Sequence, residues 1–444
     1  MTLWDTHAAT LSAKAFRALM ATVAIFDLNA EQWDVTNAFV QGQLDEVVYT
    51  ELPDGFKEAG FCLLLLRPLY GLRRSPRLWQ KDLSEKLKDL GLVCILEDMC
   101  VFTNDYITVL FFVDDTIPIY QPENQQKFDE FKEAFKAKYE LRDLGELKWF
   151  LGIRILRDRE NRKLWLCQDS YVEKITHRFH LEDRKMPVTP MSSEVLTKYN
   201  GQASPKEVHL YQQKVGSLLY ATTISRPDVA KTASKLSEFL LNPSPRHMEA
   251  VDRAIAYLYG TRTLAIEYGP DRDQKSEVFT CASDAAFADN QDRKSSDGYL
   301  FKLFGGPVDW RAGKQKTVTT SSTEAELLSL TQTAKESYRW IRFFKTIGLD
   351  LQHEISVQCD NTQTINAVTK EDGELTTKLK HVDIHRHWLR QEVQARKIHI
   401  RWVPTSKMPA DGLTKALTRQ NHEKFVDMIG LKDIGTEIFR SGRV

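Results

Sequence analysis

The apolar run Val109-Leu110-Phe111-Phe112-Val113 stops on two adjacent carboxylates, Asp114 and Asp115. β-Branched and aromatic residues at this density predict a strand. Successive side chains on a strand face opposite ways, so both carboxylates can serve one site only where the chain turns. The pair therefore predicts a hairpin tip. Asp34, in Trp33-Asp34-Val35-Thr36-Asn37-Ala38-Phe39, lies at another strand end. Three carboxylates so placed can hold two Mg²⁺ ions about 4 Å apart. Taken alone, the pair fits an ordinary turn better than a metal site, and Asp34 fits a helix cap.

A second acidic set follows the same logic. Asp284 ends the strand-like Phe279–Ser283, and Glu326 opens a long helix after Ser321-Ser322-Thr323-Glu324-Ala325. Asp360 ends the alternating run Ile355–Cys359, and Asp411 starts a helix in Pro409-Ala410-Asp411-Gly412-Leu413. Four carboxylates at element ends can converge on one sheet edge and hydrolyse a phosphodiester with two Mg²⁺. Each also has a structural alternative. Thr323 and Glu326 fit a T-x-x-E capping box, Asp411 suits a helix dipole, and Asp360-Asn361 suits a turn.

Around these sites the chain predicts strands near 47–51, 100–103 and 107–113, with helices near 75–90 and 123–138. Residues 149–156 and 163–168 read as a hairpin. From 205 to 260 the pattern is helical: Ser244-Pro245 supplies a cap and a first-turn proline, and Val229, Ala233, Leu236 and Leu240 share a face. Residues 191–206 read as a loop. Strands at 278–283, 298–304 and 307–310 then precede a helix at 324–347. The strand at 355–359, a basic helix near 380–396, a strand at 398–403 and a last helix complete a mixed sheet covered by helices.

The length of 444 residues allows two or three domains, and 42% apolar with 27% charged residues is the composition of a globular chain. Lys+Arg and Asp+Glu are equal at 61 each, so any nucleic-acid surface must come from local clustering. Six scattered cysteines without a C-x-x-C pair argue against a disulfide framework or a structural zinc and for a reducing compartment. No stretch approaches the roughly 18 apolar residues of a membrane span, and the N-terminus lacks a secretory signal pattern.

The context of the carboxylates carries a resemblance. Asp34 to Phe39 and Phe112-Val113-Asp114-Asp115 resemble catalytic boxes of copia-type reverse transcriptases. Leu69-Tyr70-Gly71-Leu72 with Ser75-Pro76-Arg77-Leu78-Trp79 resembles their template- and nucleotide-holding motif. Asp143 to Lys148 with Phe150 to Ile153 is similar to their primer grip. Farther on, Ala282-Ser283-Asp284-Ala285-Ala286, Ser321 to Glu326, Cys359-Asp360-Asn361, Lys380 to Ile384 and Val403 to Lys415 follow the family's ribonuclease H order. Tyr211 to Tyr220 and Ser225 to Asp228 resemble the thumb and connection between them. The resemblance spans about residues 15–430.

It implies an α+β reverse-transcriptase palm, a helical connection, and an α/β ribonuclease H-like domain with a mixed sheet. The corresponding boundaries are 1–175 (palm with partial fingers), 176–270 and 271–444. It implies Asp34, Asp114 and Asp115 as polymerase metal ligands, and Asp284, Glu326, Asp360 and Asp411 as ribonuclease H ligands. Phe39 would screen the sugar 2′ carbon, and Tyr70, Gly71, Ser75 and Pro76 would hold nucleotide and template. The cofactor implied is Mg²⁺, with Mn²⁺ as a substitute. The partners implied are an RNA template, a DNA primer, RNA–DNA hybrid and dNTPs, with a second copy or other Pol products as protein partners and no membrane. The compartment implied is the cytoplasm, virus-like particles or the nucleus. Two departures qualify the match. Met1 to Ser12 stand where the family carries fingers residues for the triphosphate, and Pro118 in Thr116-Ile117-Pro118 should weaken strand pairing or push the strand to an edge. Lys407-Met408-Pro409 stand where cellular ribonucleases H place a histidine, which implies slower product release.

Two basic stretches supplement the carboxylates. Arg67–Lys88 and Lys378–Arg401 each hold seven Lys/Arg against two acidic residues. Such patches suit a hybrid's phosphates, with solvated helix faces as the alternative. His381 and His385 share a helix face at i, i+4, a spacing that suits zinc, but the H-E-x-x-H glutamate is missing. The reading that follows is a polymerase with ribonuclease H activity. Its rivals are a ribonuclease H with an inactive polymerase part, and a non-catalytic nucleic-acid-binding remnant.

Overall fold

The hairpin expected at Asp114-Asp115 forms: Phe112 pairs with Asp115 across a loop of Val113 and Asp114. The computed structural model describes residues 7–270, 277–351, 355–370 and 380–441. The chain divides into two compact units, one of residues 1–16, 26–147 and 345–349, the other of 17–25, 148–344 and 350–444.

Helix α1 (Ala13–Ile25) precedes β1 (Asn29–Val35) and the short α2 (Ala38–Gln41). A two-stranded ribbon, β2 (Tyr49–Thr50) and β3 (Leu63–Leu64), leads to α3 (Ser75–Asp89), which opens with Pro76 in its first turn. Then come β4 (Val93–Ile95), β5 (Asp98–Thr103), β6 (Ile107–Phe112), β7 (Asp115–Tyr120), α4 (Gln125–Lys136) and β8 (Leu141–Glu146). The sheet order is β4-β5-β6-β7-β1-β8. Alternation on β1 sends Trp33 and Val35 into the core and leaves Asp34 partly open on the other face. Trp33 packs on Phe128, Phe131 and Phe135 of α4, with ring centroids 5.6–6.3 Å away.

Pro118 corrects one expectation. It lies in β7, which is paired with β6 on one side and β1 on the other, so the strand is central and not an edge. The β1–β7 ladder pairs Ala30 with Ile119 and resumes at Trp33 with Thr116. Pro118 falls in that gap, where its missing N–H leaves no ladder bond unmade.

In the other unit, β9 (Trp149–Phe150), β10 (Ile153–Asp158) and β11 (Lys163–Cys167) begin a sheet. Helices α5 (Asp169–Phe179), α6 (Pro205–Ile224), α7 (Ala230–Leu236) and α8 (Pro245–Gly260) follow. Ser204 with Glu207, and Ser244 with His247, form capping boxes at the starts of α6 and α8. Val229, Ala233 and Leu236 join Tyr211, Val215 and Ile255 in a buried cluster, and Leu240 packs against it. Strand β12 (Leu264–Tyr268) returns to the first sheet beside β11.

Strands β13 (Phe279–Ala286), β14 (Ser296–Leu303) and β15 (Gly306–Lys314) form an antiparallel meander. After α9 (Ser322–Thr346), β16 (Ile355–Cys359) pairs parallel to β13. Helices α10 (Thr362–Thr369) and α11 (Lys380–Gln394) lead to β17 (Ile398–Trp402), parallel to β16. The order is therefore β15-β14-β13-β16-β17, a mixed sheet of ribonuclease H-like topology. Short α12 (Asp411–Thr414), α13 (Arg419–Met428) and β18 (Leu431–Asp433), paired to β12, follow. Among the described residues no helix is long and apolar enough to cross a membrane.

The segment Arg226-Pro227-Asp228 does more than start a helix. Arg226 bonds both Asp228 oxygens at 2.9 and 2.7 Å, fully buried. The Tyr257 hydroxyl donates to Asp228 at 2.8 Å and lies 2.8 Å from His422 Nε2 on α13. This network ties the helical cluster to the C-terminal helices. Burial lowers the His422 pKa, which matches a neutral imidazole donating to the tyrosine oxygen.

Candidate functional site

In the first unit, Asp34 on β1 sits directly across from Asp115 on β7, and Asp114 occupies the adjoining turn. Val113 has φ 59°, a strained value for a β-branched residue. Both turn carbonyls are held: the buried Trp79 indole donates to Val113 O at 2.6 Å, and Val35 N–H donates to Asp114 O at 3.1 Å. The Gln32 amide donates to Asp115 Oδ1 at 3.1 Å. Burial, followed by the charges of Asp114 and Asp34, raises the Asp115 pKa despite that bond. Asp34 keeps 32% of its side chain exposed, with Arg142 3.9 Å away.

The nucleotide-holding candidates gather nearby. Phe39 and Tyr70 contact each other with ring centroids 4.6 Å apart. Burial and then the charges of Asp114 and Asp34 raise the Tyr70 pKa, which sets this ring beside the acidic trio. Gly71 has φ 98°, open to glycine at no steric cost. Ser75 Oγ donates to Leu69 O at 2.6 Å, pinning the loop to the start of α3 beside Pro76.

In the second unit the convergence is tighter. Asp284, Glu326 and Asp360 offer ligand atoms that all lie within 4.8 Å of one another, and Asp284 and Glu326 are buried. Among the described residues this is the group that meets that spacing; Asp34, Asp114 and Asp115 do not, and Asp411 stands outside it. Asp284 Oδ2 accepts from Thr414, and Asp360 Oδ2 accepts from Thr405 at 2.7 Å. Glu326 Oε2 is buried without a hydrogen-bond partner. Burial, reinforced by the Asp284 and Asp360 charges, pushes the Glu326 carboxyl up to about 9. An orphaned buried carboxylate oxygen facing two more carboxylates is a donor set that fits a hard divalent cation.

The capping-box alternative for Glu326 is taken by other residues. Ser321 Oγ accepts from Glu324 N–H at 3.2 Å, and the Glu324 carboxylate accepts from Thr320 N–H and Oγ at 2.6 and 2.8 Å. Glu326 is thus left to the cluster. The turn alternative at 360–361 resolves likewise: Asn361 caps α10 by accepting from Thr364 N–H.

Asp411 starts α12 as expected and ion-pairs with Lys415, which also lies 3.4 Å from Asp284. Helix α12 reaches this position because Asp284 pairs in register with Gly298. A Cβ on Gly298 would meet Leu413 Cβ at 2.8 Å and Thr414 Cγ2 at 3.0 Å. Thr405, Thr414, Lys415 and Gly298 received no role from the sequence. Thr405, Thr414 and Lys415 sit inside the Val403–Lys415 segment, where their closeness in sequence to Asp411 was the available signal.

The basic stretches are largely engaged. Arg74 pairs with Asp45 and Glu46, Lys86 with Asp82, Arg386 with Asp383, and Arg401 with Glu277. The zinc reading of His381 and His385 falls partly outside the described residues, since the His381 side chain is not among them.

A family model described as reverse transcriptase (RNA-dependent DNA polymerase) matches residues 3–193. The protein named "Putative transposon Ty5-1 protein YCL074W", of Saccharomyces cerevisiae, is 30% identical over 313 residues, 68% of this chain and 99% of its own length. The chain belongs to the copia-type retrotransposon Pol family. The "Retrovirus-related Pol polyprotein from transposon TNT 1-94" of Nicotiana tabacum is 33% identical over 433 residues, covering 94% of this chain and 32% of that polyprotein. The copia-type chain thus spans about a third of the length of such curated relatives. Among solved structures, LC11-RNase H1 isolated from compost is matched over 34% of this chain and 98% of its own, at 12% identity and a TM-score of 0.24.

Proposed function

We propose that the chain is an RNA-directed DNA polymerase with ribonuclease H activity on RNA–DNA hybrids, and that both activities depend on Mg²⁺, with Mn²⁺ as a substitute. The palm would span 1–175, the thumb and connection 176–270, and the ribonuclease H-like part 271–444. The observation that carries the reading is the gathering of Asp284, Glu326 and Asp360 around an unpartnered Glu326 oxygen. Divalent cations held there would activate water and stabilise the leaving oxygen of a phosphodiester. The chain's own contribution is to fix the carboxylates: Thr405 orients Asp360, Thr414 orients Asp284, and the parallel pairing of β16 with β13 brings the two strand ends together. Asp411 is assigned as the fourth ligand.

In the palm, Asp34, Asp114 and Asp115 are assigned as metal ligands. The Phe39–Tyr70 contact supports their assignment to the sugar and nucleotide pocket, with Gly71, Ser75 and Pro76 shaping it. RNA template, DNA primer and dNTPs are the partners this reading requires.

A second reading, ribonuclease H alone, is favoured by the looser spacing of Asp34, Asp114 and Asp115. Purified chain with Mg²⁺, one labelled hybrid and one primed RNA template separates the two. Cleavage lost in Asp360→Asn and extension lost in Asp114→Asn support the double activity. Cleavage without extension supports the second reading, and neither activity in folded protein overturns both.

A further inference from the structure

Lys415 enters the acidic cluster from the end of α12. Its Nζ lies 2.5 Å from Asp411 Oδ1 and 3.4–3.5 Å from the two oxygens of Asp284. Asp284 is almost completely buried, so a single ammonium supplies its cationic partner in the structure. Lys415 itself stays partly open and lines a cavity of about 240 Å³ with Lys231, Lys235 and Asp289. The carboxylates therefore fall into two groups. Asp284, Glu326 and Asp360 face one another, whereas Asp411 reaches Asp284 through the lysine.

Resting on the ribonuclease H reading above, we propose that Lys415 is a resident cation of this centre that makes its two divalent-cation positions unequal. The Asp284–Glu326–Asp360 side accepts the first divalent cation without displacing the ammonium. The Asp284–Asp411 side accepts a second only in competition with it, the lysine withdrawing toward the adjoining cavity. Without a divalent cation, Lys415 holds Asp284 and Asp411 together against their mutual repulsion, and so acts as a positioning residue. A unit charge within 4 Å of both carboxylates is large enough to dominate the second binding event.

Calorimetric titration with Mn²⁺ of the full chain, every variant and its wild-type reference carrying Asp34→Asn and Asp114→Asn to remove the palm's ligands, tests this. Wild type is expected to bind one Mn²⁺ at the cluster well before another. Lys415→Met should tighten the later event by at least about tenfold, and Lys415→Arg, which keeps the charge, should not. Asp360→Asn addresses the underlying reading separately: if it leaves the first event intact, the cluster is not the cation site. If Asp360→Asn removes that event while Lys415→Met superimposes on wild type, the Lys415 proposal alone is overturned. Melting of Lys415→Gln gives a second readout. Its Tm should fall below wild type in EDTA and recover in excess Mn²⁺. A deficit that persists with Mn²⁺ marks an ordinary packing role and overturns the proposal.

Discussion

The two acidic trios of this chain are built from similar parts and end in different states. Asp34, Asp114 and Asp115 stand on a hairpin and its neighbour, with Asp34 32% exposed and Arg142 3.9 Å away. Asp284, Glu326 and Asp360 come from three elements, Asp284 and Glu326 are buried, and an ammonium sits beside Asp284. Solvent screens the first trio only in part: it is half-buried, and burial with the Asp114 and Asp34 charges raises the Asp115 pKa. The second lacks that screening, so its charges are compensated by Thr414, Thr405 and Lys415 or suppressed, as at Glu326. The difference teaches that a buried carboxylate cluster must arrive with its counter-ions, whereas a half-buried one can wait for substrate and cation.

The largest expected effect breaks the comparison outright. Asp284→Asn should lower hybrid cleavage by about 10³-fold or more, the scale of losing a transition-state electrostatic contact. Primer extension by the same protein should be unchanged. A parallel loss of both activities would mean that the two trios do not work separately.

Gly298→Ala should act next, because its methyl would meet Leu413 and Thr414 and displace α12 from β14. A loss of about 1–3 kcal/mol in denaturant unfolding is expected, with reduced cleavage and intact extension. Unchanged stability would mean that α12 gives way freely.

Acid–base behaviour should also separate the trios. The folded-state Glu326 pKa is about 9, against an ordinary 4.5. The folded protein thus keeps a proton that the unfolded chain has lost. That stability is fully present below pH 4.5 and is lost as pH rises toward 9. In EDTA, melting temperature should therefore carry a falling component from pH 5 to 9 that Glu326→Gln removes. Mn²⁺ should reverse the sign, since cation binding requires the deprotonated form. An unchanged slope in Glu326→Gln would place the proton elsewhere.

The smallest effect concerns the half-buried trio. Trp79→Phe removes the indole bond to Val113 O and should cost about 1 kcal/mol. Amide exchange across the Val113–Asp114 turn should quicken, while cleavage of hybrid stays as in wild type.

Sequence was informative where chemistry coincides with an element end. Asp114-Asp115 after an apolar run, Asp360 after alternation and Glu326 at a helix start are local signals, and the sheets bear out the strands read from them. It was silent where the partner lies far along the chain. Thr414 and Lys415 meet Asp284 across about 130 residues, and His422 meets Tyr257 across 165. No periodicity encodes such contacts. Thr323-x-x-Glu326 matched a capping box, yet Ser321 and Glu324 hold the helix start two residues earlier, with Glu324 accepting from Thr320. Pro118 was half legible: β7 is central and not an edge, while the expected weakening of pairing is seen where β1 breaks its ladder opposite the ring.

Crystals of the chain soaked in Mn²⁺ and measured for anomalous scattering test the central claim most directly. The account predicts the strongest peak between Asp284, Glu326 and Asp360, with the peak abolished in Asp360→Asn. A fully soaked crystal with no peak there, or with its strongest peak at Asp34 and Asp115, would contradict it.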